Sequence, residues 1–333
     1  MVVVFTLLVL SVILVNGSTD APNAISTCIT TRSLSPSAAI ILAAVCNFSG
    51  SALMALLNTN VACTVYSMVE LSSTKDIALA SLVAGMSAVV IWAITTWFFG
   101  IPTSESHALL AGLSGAVFAS SMSIDSINLN EWTLVLAGLF LSTLPTLIIA
   151  RLVYALLLKL FYNCDRRRTI KYFMRTQRLS AAWSAFLHGA QDSQKFMGVF
   201  MLGLSITRGE LSKDSFEIPI YIVLSCSAIM TLGTLVGGRR IIKKVGMDMV
   251  ELDALGGTAA DMASSAVIFI CTLFGIPVST THSKASAMMG VGASSKKGTN
   301  KKIISEMLLA WLLTFPICAA IGFLIFRIIT QTL

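Results

Sequence analysis

Charge is scarce in this sequence: Asp, Glu, Lys and Arg make up 12% of 333 residues, against 56% hydrophobic side chains. With a mean hydropathy of +0.84, that scarcity excludes an ordinary soluble domain and indicates a polytopic membrane protein. Alternating ten-residue runs are missing, which argues against a transmembrane β-barrel. The seven cysteines include no Cys-x-x-Cys pair, and all but Cys164 lie in or near apolar segments. Small buried side chains are expected there, with no disulfide framework and no metal site. The three histidines lack the convergent spacing of a metal site. No basic residue precedes the apolar N-terminal run, which weighs against a cleaved signal peptide.

What the chain does have is long apolar stretches, of the roughly 20 helical residues needed to cross a hydrocarbon core of about 30 Å. Ten segments are expected, at 1–31, 36–57, 77–99, 105–122, 131–161, 180–205, 216–238, 256–274, 279–294 and 303–330. The fold class is therefore an all-α polytopic membrane protein, with the lipid bilayer as its surroundings. The net charge of +7 does not point to nucleic acid, because the basic residues sit between the apolar segments. If all ten segments cross, seventeen Lys and Arg fall on one face and four on the other. Such residues stay on the cytoplasmic side. The expectation is a multi-pass plasma-membrane protein with both termini outside, and with a homodimer left open.

The sequence also repeats itself. "NGSTDAPNAIS" starts at Asn16 and "HGAQDSQKFMG" at His188, an offset of 172 residues. "GIPTSESHALLAG" starts at Gly100 and "GIPVSTTHSKASA" at Gly275, an offset of 175. An odd number of segments per copy inverts the second copy relative to the first. The expected organisation is repeat 1 at 1–161, a solvated basic linker at 162–179 and inverted repeat 2 at 180–333. Secondary transporters are often built this way, with the site near mid-membrane between the repeats.

All four motifs are expected to interrupt helices. Proline removes a backbone donor and glycine permits unusual dihedrals. Unwound backbone survives at membrane depth only when buried in protein or lining a wet cavity. "PTSESH" and "PVSTTH" read as helix starts, where a hydroxyl caps free N–H groups and the positive dipole end faces an anion. One hydroxyl per helix suffices for capping, yet Thr103, Ser104 and Ser106 stand against Ser279, Thr280 and Thr281. The surplus suits a multi-oxygen anion.

The other motif pair supplies charge. Asp20 and Asn23 share a helical face, as do Asp192 and Lys195. An ionisable residue inside the membrane is costly and usually lines a pathway or has a partner. An Asp192–Lys195 pair that merely neutralises itself would leave Asp20, Glu105 and Asp261 unexplained. Asp20, Asp192 and Asn23 are hard oxygen ligands, suited to a small cation or to proton exchange. His107 and His282 occupy matching repeat positions, so a shared role in closing a helix start is expected of them rather than titration.

These motifs resemble the duplicated signatures of the inorganic phosphate transporter (PiT) family, over essentially the whole chain. The resemblance implies a secondary carrier that moves phosphate with sodium ions or protons, not an enzyme, with no resident cofactor. It implies phosphate ligands at Ser104, Glu105 or Ser106 from one tip and at Ser279, Thr280 and Thr281 from the other. Asp20, Asn23 and Asp192, with Gln194 beside them, would be the coupling cation or proton positions. Two departures stand out: Thr19 replaces an amide in the first motif, and Lys195 stands where the repeat equivalent is Asn23. A fixed ammonium there can substitute for one coupling cation or donate directly to phosphate. The Asp-x-Gln-Lys form resembles the proton-coupled or metal-phosphate-carrying bacterial branch. Glu105, whose repeat mate is Thr280, repels phosphate unless it is protonated or paired. Lys195 is its expected partner, and Glu105 follows Asp192 as the expected proton carrier.

Other functions compete with this one. A sulfate or other oxyanion permease could use the same hydroxyls and helix ends, although sulfate cannot donate a hydrogen bond to the surrounding acids as a protonated phosphate can. An intramembrane hydrolase would need a base positioned on Ser104 or Ser279, and a Ser/His stretch that occurs twice suits a symmetric binding site better. A passive channel differs from a carrier in lacking concentrative uptake. "GASSKKGTN" lacks the Walker spacing needed to cradle nucleotide phosphates.

Overall fold

Backbone polar groups in hydrocarbon must be satisfied within the chain, so the long apolar stretches become helices. The computed structural model describes residues 1–71, 74–208, 216–237, 242–295 and 298–332. Its first half holds α1 (Val2–Thr19), α2 (Ala21–Thr30), α3 (Pro36–Leu57), α4 (Asn60–Ser67), α5 (Lys75–Phe99), α6 (Glu105–Ser121) and α7 (Leu129–Leu160). The second holds α8 (Arg166–Arg208), α9 (Ile220–Val236), a π-helical segment at Ile242–Met249, α10 (Ala254–Leu273), α11 (Thr280–Ser294) and α12 (Lys301–Thr332). Nine of the ten expected segments correspond to one helix each, and the first, 1–31, divides into α1 and α2. The short α4 lies outside them, because its "NVACTVYS" run carries no long apolar signal.

Two expectations about helix ends need correcting. The basic linker is not a loop: α8 begins at Arg166 and continues through residue 208. The Asp165 carboxylate accepts from the backbone N–H of Arg168 at 2.8 Å, capping the start. The Arg, Lys, Met and Gln residues that follow are good helix formers. Nor does "HGAQDSQKFMG" interrupt its helix, since it lies whole within α8. Its counterpart breaks for a single residue, Asp20, between α1 and α2. The difference traces to Pro22, which removes a backbone donor; its repeat mate, Gln194, keeps one.

The glycine-proline motifs interrupt their helices as expected. Gly100 at φ +63° and Gly275 at φ +69° end α5 and α10 in the left-handed conformation, which glycine adopts without a Cβ clash. Ile101 N–H then bonds Thr96 O at 2.9 Å, and Ile276 N–H bonds Cys271 O at 2.8 Å. After a short extended stretch the chain folds back. Gly85 on α5 approaches Leu113 on α6, and isolated bridges join Val69 to Ile127 and Val250 to Thr299 across the open ends of the two units. Thus α5–α6 and α10–α11 are helical hairpins. No Lys or Arg lies in either tip, at 100–104 or 275–279, so the division of positive charge between the two faces is unaffected.

The halves exchange packing partners. Helix α3 lies along α8 and α9 along α1, while α6 lies along α12 and α11 along α7. Each contact thus has its mate in the other half. Glycines at matched positions permit these crossings: a Cβ on Gly115 would stand 2.1 Å from Ala319 O, and one on Gly290 2.1 Å from Leu147 O. Small residues let helix backbones approach closely where no aqueous hydrophobic effect drives them together. Gly115→Ala and Gly290→Ala should each destabilise the protein by about 1–3 kcal/mol through overpacking, read as a lowered unfolding temperature in detergent. Ala293→Leu, at an exposed position, should leave that temperature unchanged.

Candidate functional site

The two hairpin tips meet in the interior. Ser104 Oγ accepts from His107 N–H at 3.2 Å, and Ser279 Oγ accepts from His282 N–H at 3.1 Å. Both helix starts are therefore capped, and their remaining first-turn N–H groups carry the positive end of the helix dipole. The capped histidines touch each other, with ring centroids 4.6 Å apart. Phe315 stacks on His107 and Trp311 on His282. None of the four imidazole nitrogens has a hydrogen-bond partner among the described residues. The rings thus serve as packing pieces that hold two helix starts together, as their matching positions suggested.

Against these tips stand α1–α2 and α8, bearing two related clusters. In the first, Thr281 Oγ1 donates to Asp20 Oδ1 at 2.8 Å and accepts from Asn23 Nδ2 at 3.0 Å. Asn16 Nδ2 lies 3.3 Å from the other Asp20 oxygen. In the second, Ser106 Oγ lies 3.5 Å from Asp192 Oδ1 and accepts from Lys195 Nζ at 2.7 Å. His188 Nε2 lies 3.2 Å from Asp192 Oδ2. Every member has its mate at the repeat offset: Asp20 with Asp192, Asn23 with Lys195, Asn16 with His188, and Thr281 with Ser106. The halves build one constellation twice, and at one position an amide in the first copy becomes an ammonium in the second.

The ammonium is well held. Lys195 Nζ donates to Asp192 Oδ1 and to Val278 O, each at 2.5 Å, and its side chain is fully buried. Thr280 Oγ1 donates to Asp192 Oδ2 at 2.9 Å. The Asp192–Lys195 pair therefore does not close on itself, because it also binds groups from both hairpin tips.

Glu105 departs from expectation. It accepts a hydrogen bond from Thr19, while Lys195 is taken up by Asp192, so the expected Glu105–Lys195 pair does not form. The reason is register: Lys195 lies one helical turn from Asp192 on the same face. Gln194 is buried on α8 with both amide atoms unpartnered among the described residues. Gln191 is better tied, with Nε2 donating to Ile276 O at 3.0 Å and Oε1 accepting from Thr272 at 2.7 Å.

Of the expected site residues, the structure brings Asp20, Asn23 and Thr281 into one contacting cluster and Ser106, Asp192, Lys195 and Thr280 into another. It sets Glu105 beside them through Thr19. The hydroxyls of Ser104 and Ser279 are committed to caps, and that of Thr103 donates back to Thr96 at 3.0 Å. Sequence reasoning missed Asn16, Asn47 and Lys284. Asn47 Oδ1 meets His188 Nδ1 at 3.0 Å. Lys284 forms an ion pair with Asp261. A lone lysine in the small-residue run "HSKASAMMG" was a readable signal, since lysine in a buried helix demands a partner.

Comparison with known proteins follows the same outline. A model of the phosphate transporter family matches residues 16–174 and again 161–322, once per half. The chain is 35% identical over 318 residues to the probable low-affinity inorganic phosphate transporter of Bacillus subtilis, covering 95% of this chain and 93% of that one. It is 23% identical over 457 residues to the low-affinity inorganic phosphate transporter PitB of Escherichia coli, with 91% of each chain covered. A solved structure titled "The sodium-dependent phosphate transporter" superposes with a TM-score of 0.84 at 17% identity, over 100% of this chain and 99% of that one, and so shares the fold. Two matched copies of one family model, on two halves that build one constellation twice, establish that this chain belongs to the phosphate transporter family.

Proposed function

We propose that this protein imports inorganic phosphate across the plasma membrane by alternating access, in symport with protons. The observation that carries the reading is that the hairpin-tip hydroxyls are held by carboxylates. Thr281 donates to Asp20 and Thr280 to Asp192, while Ser106 lies between Asp192 and Lys195. A phosphate oxygen needs the same donors. The anion and the acids therefore compete for one set of hydrogen bonds.

Competition of this kind supplies coupling. A proton on Asp20 removes an acceptor, frees Thr281 to donate to phosphate, and turns the acid itself into a donor. The N–H groups at the starts of α6 and α11 add a positive field suited to a tetrahedral oxyanion. Lys195 contributes a fixed charge where the first half has the neutral Asn23, and so takes the place of one coupling cation. Asp192 and Asp261 contact ammonium groups, whereas the contacts of Asp20 and Glu105 are with the neutral Thr281, Asn16 and Thr19. The proton-carrying role is accordingly assigned to Asp20 and Glu105 in preference to Asp192. Acids beside the anion also favour phosphate over sulfate, since only the former keeps a proton to donate near neutral pH. No resident cofactor is proposed. The face with seventeen Lys and Arg, including the whole 162–179 segment, is assigned to the cytoplasmic side and both termini to the outside.

Reconstituted protein should take up labelled phosphate when an inward proton gradient is imposed and show no response to a sodium gradient. Sulfate in excess should compete weakly. Strict sodium dependence without a proton response defeats the coupling. Glu105→Gln should flatten the pH dependence of uptake. Lys195→Asn, which makes the second cluster match the first, should make uptake sodium-dependent. Cys164, exposed between α7 and α8, should react with a membrane-impermeant maleimide only from the cytoplasmic side; labelling of intact cells would reverse the topology.

A further inference from the structure

A second buried ion pair lies beside the site, and the transport reading leaves it without a role. Lys284 on α11 and Asp261 on α10 form a salt bridge in which neither side chain is more than 2% exposed. The two Asp261 oxygens are well supplied: Oδ1 also accepts from Thr27 of α2 at 2.8 Å, and Oδ2 accepts from Ser180 of α8 at 3.0 Å. Lys284 Nζ has a second acceptor in Ala24 O of α2, at 3.1 Å. The pair has no counterpart in the first half, where the matching residues are Met86 and Leu109. A structural pair common to the fold's two copies would appear twice. This one was added on one side only.

Its position indicates what it serves. Lys284 lies one turn beyond Thr280 on α11. It lines a small cavity of about 10 Å³ together with Asp20, Asn23, His188 and Thr280. That volume takes at most one water or one small ion. An ammonium carries three donors, and two acceptors are in place in Asp261 and Ala24 O, which leaves one donor on the side chain that forms the cavity wall. Asp20, which has no ammonium partner among the described residues, lines the same cavity. The charged and titratable groups around the cavity are Asp20 from the α1–α2 break, His188 from α8 and Lys284 from α11, with Asp261 of α10 behind Lys284.

We propose that Lys284 is a tethered counter-ion for Asp20. Its ammonium stays on Asp261 while Asp20 is neutralised by the coupling cation or proton, and swings to the Asp20 carboxylate when that charge leaves. Asp261 keeps Thr27 and Ser180 as donors throughout, which makes the exchange feasible for the acid left behind. The empty carrier then returns with its uncompensated charge on Asp261, which keeps two hydroxyl donors and does not line the cavity, and not on Asp20, which does. A buried charge left with no partner costs several kcal/mol. Lys195 does permanently for Asp192 what Lys284 does for part of the cycle for Asp20. The proposal rests on Asp20 being the coupling carboxylate.

The test separates the loaded and empty steps of the cycle in proteoliposomes. Phosphate–phosphate exchange uses only the loaded carrier, whereas net uptake also needs the empty carrier to return. Lys284→Gln should lower net uptake by about tenfold or more while leaving exchange within about twofold. Lys284→Arg should restore net uptake. Asp261→Asn, which keeps an oxygen for Thr27 and releases the ammonium, should also spare exchange and shift the dependence of net uptake on external cation. Equal losses of exchange and net uptake in Lys284→Gln, or no loss of either, overturn the proposal. If wild-type protein exchanges no phosphate, or if Asp20→Asn keeps full coupling, it is the reading of the site that fails.

Discussion

Two carboxylates in a dehydrated interior set the terms for everything around them. An unpaired buried charge is expensive, so Asp20 and Asp192 must be given donors, and hydroxyls at the hairpin tips join Asn16 and Lys195 in supplying them. Those hydroxyls can only reach the acids if a helix begins at mid-depth. That in turn requires a left-handed glycine to end the preceding helix, a proline beyond it, and a serine cap to start again. The sequence "GIP-x-S" is thus a consequence of where the acids lie. Because the helix starts so formed present a positive field, a site built to satisfy carboxylates also suits an exogenous oxyanion.

Duplication supplies this arrangement twice, and the differences between the copies carry the chemistry. Asn23 and Lys195 occupy one position and make the same contact with a tip hydroxyl, Thr281 or Ser106, yet differ by a full charge. Glu105 and Thr280 are likewise mates with opposite roles, one accepting from Thr19 and the other donating to Asp192. A strictly symmetric site would bind the same species at both ends. On the proposed reading, an ammonium fixed at one end only confines the coupling charge to the Asp20 side, where Lys284 also lines the cavity.

Much of this was legible before any coordinates. The ten helical segments, the repeat and its offsets followed from apolar run length and from four short motifs, because those signals are local. Seven of the expected site residues converge, because glycine, proline and hydroxyl residues near mid-run leave few places for broken backbone to go. What the sequence could not show was direction. A break after Gly100 fits either a helix that resumes forward or one that doubles back, and only the packing of Gly85 against Leu113 distinguishes them. The Glu105–Lys195 pairing failed for a related reason, since both were placed by proximity to one anion whereas Lys195 had a nearer acid on its own helix. Pro22 misled in the other direction: its copy at Gln194 is not a proline, so the second motif stays helical.

The distribution of the site over the fold gives the proposed coupling a mechanical side. Asp20, Asn23, Asp192 and Lys195 belong to α1–α2 and α8, which pack with α9 and α3. Ser106, Thr280 and Thr281 belong to hairpins that pack with α12 and α7. The carboxylate–hydroxyl bonds therefore join two groups of helices as well as two chemical functions. On the proposed reading, a proton that releases a hydroxyl to phosphate also removes a bond between these groups, and bound phosphate replaces it by bridging them. On that reading neither the proton alone nor the anion alone restores every contact, whereas both together do, and in the empty carrier Lys284 covers Asp20 while Asp261 rests on Thr27 and Ser180. Obligatory coupling follows if only these two states leave no bare charge facing the cavity while the helix groups move past each other.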